Sequence, residues 1–125
     1  MDINLPEVHA ELTAVFARYE DALVNNHVKV LDELFWPSEH TVRYGVRENL
    51  HGIEEVRAFR QARPAQGLAR TLQNTVITTF GRDFGAAMTL FQREGGNKVG
   101  RQSQTWVRLP EGWRVVAAHV SLMLD

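Results

Sequence analysis

The sequence predicts an α+β fold in which helices cover one face of an antiparallel β-sheet. Up to about residue 63, apolar residues recur every three or four positions, which is the spacing of amphipathic helices. From Arg70 onward they alternate with a period of two, and short turns containing glycine separate the segments. Helices followed by a run of closely connected strands are typical of α+β domains.

Three helices are predicted in the first half of the chain. The first spans residues 5–26, and Pro6 suits its first turn because proline lacks a donor that would be unpaired there. The second spans about residues 28–35 and ends because the residue before Pro37 is pushed out of the helical region. The third spans about residues 53–63, between a glycine and a proline.

Four long strands follow, with the sequences RTLQNTVITTF, FGAAMTLFQRE, KVGRQSQTWVRL and WRVVAAHVSLM. The connections GRD, GGN and PEG are short, so consecutive strands are expected to be antiparallel neighbours. A further strand near Arg43, in HTVRYGVRENLHG, is expected to join the same sheet, with a short strand at residues 48–50. The last long strand is apolar on both faces, so we expect the second face to pack against another subunit in a homodimer.

Length and composition indicate one soluble domain, residues 1–125. The 14 basic and 15 acidic residues leave a net charge of -1, so neither nucleic acid nor a membrane is an expected partner. The chain has no cysteine, no signal-peptide pattern and no apolar run long enough to span a bilayer. These features predict a cytoplasmic protein.

Arg43 is the first candidate for a functional side chain. Alternation places it opposite a face formed by Val42, Tyr44 and Val46, so Arg43 points either to solvent or into a cavity. If it points inward, an unpaired buried guanidinium is costly, and the site demands an anion. A planar carboxylate is the geometric match for its fork of donors.

Tyr19 lies on the buried face of the first helix, so its hydroxyl needs a partner. That partner is either a backbone carbonyl or a ligand. Near the turn into the third helix, Asn49 and His51 are candidates for ligand contact, although a histidine there is also a common turn residue. Arg60 and Arg63 lie three positions apart on the third helix and form either a solvated face or a rim that attracts anions.

Two further candidates lie on the last strands. Gln104 shares one face with Gln102 and Trp106, and such a polar and aromatic face lines either a pocket or an interface. His119 is expected to share a face with Trp113, as a core or interface histidine or as a general base. The histidine spacing matches no metal motif, and no nucleophile motif or phosphate loop is present, so neither metal nor cofactor is expected.

Several segments carry a family resemblance: ELFW, NLHGIEEVRAFRQARP, RTLQNTVITTFGRD and GRQSQTWVRLPEGWRVVAAHVSLM. Through them the chain resembles the NTF2-like (SnoaL-like) cone-shaped α+β barrels. Within these it is similar to the AtzH and HpxZ type, small proteins associated with amidases of cyanuric acid and oxalurate breakdown. The resemblance implies a pocket between the long helix and a concave sheet.

The resemblance also implies a cofactor-free, amidohydrolase-like or decarboxylating activity on a small carboxylated urea or oxalurate-like amide anion. The family's reactive tyrosine and arginine correspond to Tyr19 and Arg43. Arg43 would clamp a carboxylate while Tyr19 donates a hydrogen bond to the amide or urea group. The alternative is a non-catalytic accessory that binds an intermediate or a partner amidase. A ketosteroid-isomerase-like proton shuttle ranks last, because it requires an acidic base deep in the cavity.

Overall fold

The computed structural model describes residues 1–124 and has three helices at the positions that periodicity predicts. They are α1 (Pro6–Val24), α2 (Val28–Leu34) and α3 (Ile53–Ala62). α1 ends earlier than predicted, because Asn26 adopts a left-handed φ of 53° that a right-handed helix does not accommodate. Among the described residues, no helix has the length and apolar content needed to cross a membrane.

One six-stranded sheet follows the predicted pattern. Its strands are β1 (Val42–Tyr44), β2 (Asn49–His51), β3 (Arg70–Phe80), β4 (Phe84–Arg93), β5 (Val99–Leu109) and β6 (Gly112–Leu122). The spatial order is β2-β1-β6-β5-β4-β3. All neighbours are antiparallel except β1 and β6, which pair in parallel. The sheet is strongly curved but open, so the predicted α+β cone is confirmed without closing into a barrel.

Two β-bulges bend the sheet and change which side chains face inward. In β3 the register with β4 shifts between Gln73 and Val76, where Asn74 has a positive φ of 52°. In β6 the register with β5 shifts by one residue at Val116. Each extra residue reverses the alternation beyond it. Because of the second bulge, Trp113 shares the inward face with Ala118 rather than with His119.

The helices bury an apolar stripe of α1 against the inward face of this sheet. Val8, Leu12 and Phe16 occupy successive turns of that stripe, and Tyr19 continues it. The Tyr19 ring meets Trp106 edge to face, with ring centroids 6.1 Å apart and planes at 86°. The core therefore fixes the ring of Tyr19 near the C-terminal end of α1.

The Phe91 ring leaves space only for a glycine at position 100. Gly100 lies directly opposite Phe91 in the pairing of β4 with β5, and a Cβ at Gly100 would collide with the Phe91 ring. We expect Gly100→Ala to lower the free energy of unfolding by about 1–3 kcal/mol through overpacking, measured by urea denaturation. Gly96→Ala, in an exposed connection, is the control: a Cβ there would lie 3.3 Å from the Arg93 carbonyl oxygen, so the substitution should cost less than Gly100→Ala. Equal losses would contradict this account.

Candidate active site

A cavity of about 390 Å³ opens between α1, α3 and the inward face of the sheet. Its volume lies in the range of small-molecule sites. Tyr19 from α1, Arg43 from β1 and Arg63, just after α3, all line it. Three of the side chains singled out from the sequence are therefore brought together, although they are far apart along the chain.

Arg43 points inward because of the partner that β1 takes. Parallel pairing sets Arg43 beside Ala118, an inward position of β6, while Val42 and Tyr44 take outward positions. The Arg43 side chain is only 13% exposed and its guanidinium lies 5.5 Å from the centroid of the Phe59 ring. The inward orientation of Arg43 is thus a direct consequence of the β1–β6 register.

Glu48 is a partner for Arg43 that sequence reasoning missed. Arg43 Nη1 donates to Glu48 Oε1 at 3.3 Å, so the contact uses one arm of the fork. Glu48 lies in the turn between β1 and β2, where its carboxylate covers Gly45, so a Cβ at Gly45 would displace the carboxylate from this position. The only sequence signal was an acidic residue in the turn that follows the arginine strand.

Arg63 carries a charge that no carboxylate among residues 1–124 neutralises. Its Nε and Nη2 atoms are buried and have no hydrogen-bond partner within residues 1–124. Burial lowers the pKa of Arg63 below its ordinary value, and the charge of Arg60 lowers it further. Burial therefore makes the positive charge of Arg63 costly, and an anion beside it would lower that cost.

Arg70 and Arg93 also line the cavity and were not singled out from the sequence. They face each other across β3 and β4 and both lie over the Phe91 ring, at 4.6 and 5.4 Å. Glu20 accepts two hydrogen bonds from Arg70, at 2.9 and 2.7 Å. Arg93 has no carboxylate partner among the described residues. Burial lowers the pKa of Arg93, and the charge of Arg70 lowers it further. The sequence carried no signal for this pair, because their opposed positions follow from the register of β3 with β4.

The cavity as a whole carries an excess of positive charge. Among the described residues that line it, Glu48 is the one acidic residue. Five of the others are arginines: Arg43, Arg47, Arg63, Arg70 and Arg93. Glu20 neutralises Arg70 from α1. These two carboxylates leave an excess of positive charge in a chain whose net charge is -1. A cavity that concentrates one sign of charge between low-dielectric walls attracts ligands of the opposite sign.

The Tyr19 hydroxyl also lacks a partner. The residue is 4% exposed, and in the part of the chain that the structure describes its hydroxyl makes no hydrogen bond. The expected alternative, a bond to a backbone carbonyl, is therefore not formed. The ring is buried, but the hydroxyl is not among the buried atoms without a partner, so it retains accessible surface in the cavity lining and can donate to a ligand there.

Two predicted site residues lie in the core instead of the cavity lining. Arg60 is buried, donates to Asp32 of α2 at 2.6 Å and lies over the Phe35 ring at 4.8 Å. The expectation of an exposed rim does not hold for Arg60, because an acidic residue on the neighbouring helix draws it inward. Gln104 is buried as well and accepts a hydrogen bond from Trp106 Nε1 at 3.0 Å.

Three other predicted residues lie on the outward face of the sheet. Asn49, His51 and His119 are exposed, and the rings of His51 and His119 lie 5.6 and 6.1 Å from that of Tyr44. The expectation that His119 shares a face with Trp113 is wrong, because the bulge at Val116 reverses the alternation between them. His119 and Tyr19 therefore lie on opposite sides of the sheet.

Comparison with solved structures places the chain among NTF2-like and cystatin-like folds. A protein of unknown function from Pectobacterium atrosepticum is similar with a TM-score of 0.97 and 64% identity, over 98% of this chain and 96% of that chain. A cystatin-like fold protein from Burkholderia xenovorans has a TM-score of 0.95 and 45% identity, over 100% and 98%. An NTF2-like superfamily protein from Salmonella enterica has a TM-score of 0.73 and 23% identity, over 95% and 93%.

The family follows from the sequence match. The AtzH-like family model matches residues 1–125, and the chain belongs to the AtzH-like family. A search of curated proteins gave no match.

Two arginines of the cavity are expected to respond in opposite ways to removal of their charge. Arg63→Met removes a cation without a partner, so the free energy of unfolding should stay unchanged or rise by up to about 1 kcal/mol. Arg70→Met strands the carboxylate of Glu20 and should cost about 3 kcal/mol. Urea denaturation of both variants measures the difference. A large loss for Arg63→Met would mean that Arg63 has a partner in the folded protein.

Proposed function

We propose that the protein is a cytoplasmic, cofactor-free enzyme of nitrogen-compound catabolism that acts on a small carboxylated urea or an oxalurate-like amide anion. One observation carries the proposal: the Tyr19 hydroxyl and the buried, unpaired donors of Arg63 share one positively charged cavity with Arg43. Unpaired buried donors are costly to a fold, and a ligand that accepts from them offsets that cost.

The arginines account for the anionic part of the ligand. Arg43 makes only the single 3.3 Å contact to Glu48 and keeps the other edge of its fork available, whereas the Nε and Nη2 atoms of Arg63 are buried without a partner among residues 1–124. A planar carboxylate fits such an edge with two parallel hydrogen bonds, which lysine would not provide. We therefore place the carboxylate of the ligand against Arg43. Arg63, just after α3, adds a positive charge to the same cavity.

Tyr19 accounts for the chemical step. In an N-carboxyurea, the bond between nitrogen and the carboxyl carbon breaks, its electron pair stays on nitrogen, and carbon dioxide leaves. The nitrogen then takes a proton, which Tyr19 is placed to give as a general acid before water reprotonates the phenolate. Holding a labile substrate in position and offering a donor where charge develops is sufficient for this reaction.

A second candidate is a non-catalytic role, in which the cavity binds an intermediate or the protein serves a partner amidase. The carboxylates near the cavity favour this alternative over amide hydrolysis, because Glu48 is engaged by Arg43 and Glu20 by Arg70. Neither is free to act as a general base. The fold itself does not decide between the two, since one architecture hosts enzymes and binding modules alike.

Turnover by a Tyr19→Phe variant tests the catalytic role. The substitution removes no internal hydrogen bond among the described residues, so stability should change by less than about 0.5 kcal/mol. Turnover of a panel of N-carboxyureas and oxalurate should fall by at least about 100-fold, measured by product release. Tyr44→Phe, on the outward face, is the control and should retain activity. Unchanged turnover in Tyr19→Phe would exclude Tyr19 from the catalytic step. If the wild type binds the ligands but releases them unchanged, the non-catalytic role is favoured.

We also propose that the outward face of the sheet pairs two copies of the chain. Tyr44, Val76, Phe84 and Met88 are exposed there, at 36–55% of their surface. Apolar side chains on both faces of an antiparallel sheet are typical of a sheet that is covered on both sides. Since these side chains carry no charge, the same patch on two subunits is self-complementary across a two-fold axis.

Light scattering tests the homodimer. The wild type should have twice the 14.2 kDa mass of the chain, and Met88→Glu should shift it to the monomer mass, because it buries two carboxylates in an apolar interface. Ala14→Glu, on the exposed face of α1, is the control and should leave the mass unchanged. A wild type that is monomeric at all concentrations would rule out the dimer.

A further inference from the structure

Gln102 of β5 combines deep burial with an unpaired donor at the cavity. The residue is 3% exposed and lines the same cavity as Tyr19 and Arg43. Its Oε1 accepts a hydrogen bond from Arg70 Nη2 at 3.0 Å. Its Nε2 is buried and has no hydrogen-bond partner within residues 1–124.

The chemistry of Arg70 determines which way the amide of Gln102 is turned. A guanidinium only donates, so the atom that faces Arg70 Nη2 must be the amide oxygen. Arg70 is itself held by the two hydrogen bonds to Glu20. The contacts from Glu20 to Arg70 and from Arg70 to Gln102 therefore fix the orientation of the amide. Nε2 is the atom directed away from Arg70, and the flipped amide, with its oxygen directed away from Arg70, is excluded.

A neutral, fixed donor complements a different part of a ligand than an arginine does. Arg43 and Arg63 match a carboxylate by charge, whereas an amide N–H pairs equally well with an uncharged carbonyl oxygen. A site that provides such a donor in a buried position rejects analogues that lack the acceptor, because the donor then stays unpaired. Gln102 is thus suited to read the amide or urea carbonyl next to the anionic group.

We propose that Gln102 Nε2 binds the carbonyl oxygen of the ligand's amide or urea group, and that Arg70 is the positioning residue that holds Gln102 in this orientation. The assignment rests on the proposed function, because it places a second contact on the same small anionic ligand. It adds a specificity-determining residue to the site: Gln102 distinguishes a carboxylated urea from a simple carboxylate of the same shape.

Gln104 provides a matched control on the same strand. It is equally buried, faces the same side of β5, and its Nε2 likewise has no partner among the residues described. Its oxygen is held by Trp106 Nε1 instead of an arginine, and Gln104 does not line the cavity. Replacing either glutamine by leucine removes one acceptor and one donor from the core, but only Gln102→Leu alters the cavity wall.

The experiment compares two probes by titration calorimetry. N-carbamoylglycine has a carboxylate and a urea carbonyl, and 4-methylpentanoate has the same carboxylate and branched shape without the carbonyl. In the wild type N-carbamoylglycine should bind more tightly. Gln102→Leu should weaken it about tenfold, the value of one good hydrogen bond, and leave 4-methylpentanoate within about twofold. Gln104→Leu should change neither affinity by more than about twofold.

Two further variants keep the test independent of folding defects. Gln102→Glu retains an acceptor for Arg70 and should fold; its added negative charge weakens both anionic probes, and the lost donor should weaken N-carbamoylglycine further, so the ratio of the two affinities should fall. Arg70→Lys should lower the ratio of the two affinities in the same direction, which a general loss of stability would not do. If Gln102→Leu weakens both probes equally or neither, the role of Gln102 is overturned while the proposed function stands. If the wild type binds neither probe, both are overturned.

Discussion

The concentration of arginine side chains in one cavity is the constraint on which the rest of the structure depends. Like charges placed close together in a low-dielectric pocket repel one another, so the fold must either neutralise or support each of them. Glu20 and Glu48 neutralise two arginines, and the rings of Phe59 and Phe91 lie beneath three guanidinium groups. Arg63 is left without a neutralising partner within residues 1–124. A site that keeps such a charge unpaired gives up stability that an anionic ligand returns.

The curved sheet is what makes this arrangement possible. The β3 bulge lets Arg70 face inward at one end of the strand and Thr79 at the other. Parallel pairing of β1 with β6 turns Arg43 inward. Glycines supply the remaining space, since Gly45 accommodates the Glu48 carboxylate and Gly100 the Phe91 ring. The residues that support the charges are therefore set by backbone register more than by local propensity.

Periodicity was enough to predict the three helices, the four long strands and the buried position of Tyr19, because these depend on local repeats. It could not orient Arg43, whose direction depends on a pairing with β6 that lies far along the chain. It misplaced His119, because a one-residue bulge leaves no trace in an alternating pattern. Arg70 and Arg93 were missed since only the register of β3 with β4 sets them side by side.

The pairing of the nearby carboxylates bears on which reaction the cavity suits. Hydrolysis of an amide requires a base to activate water, and Glu48, which lines the cavity, is engaged by Arg43 in the unliganded state. Loss of carbon dioxide from a carboxylated nitrogen requires only an acid that protonates the nitrogen as the bond breaks, a role that a phenol can fill. Among the described residues, the donors without partners outnumber the bases without partners at this site. Within the proposed function, the balance of donors and acceptors therefore favours decarboxylation of an N-carboxyurea over hydrolysis of oxalurate. Hydrolysis would require that a ligand carboxylate displace Glu48 from Arg43 and free it as the base.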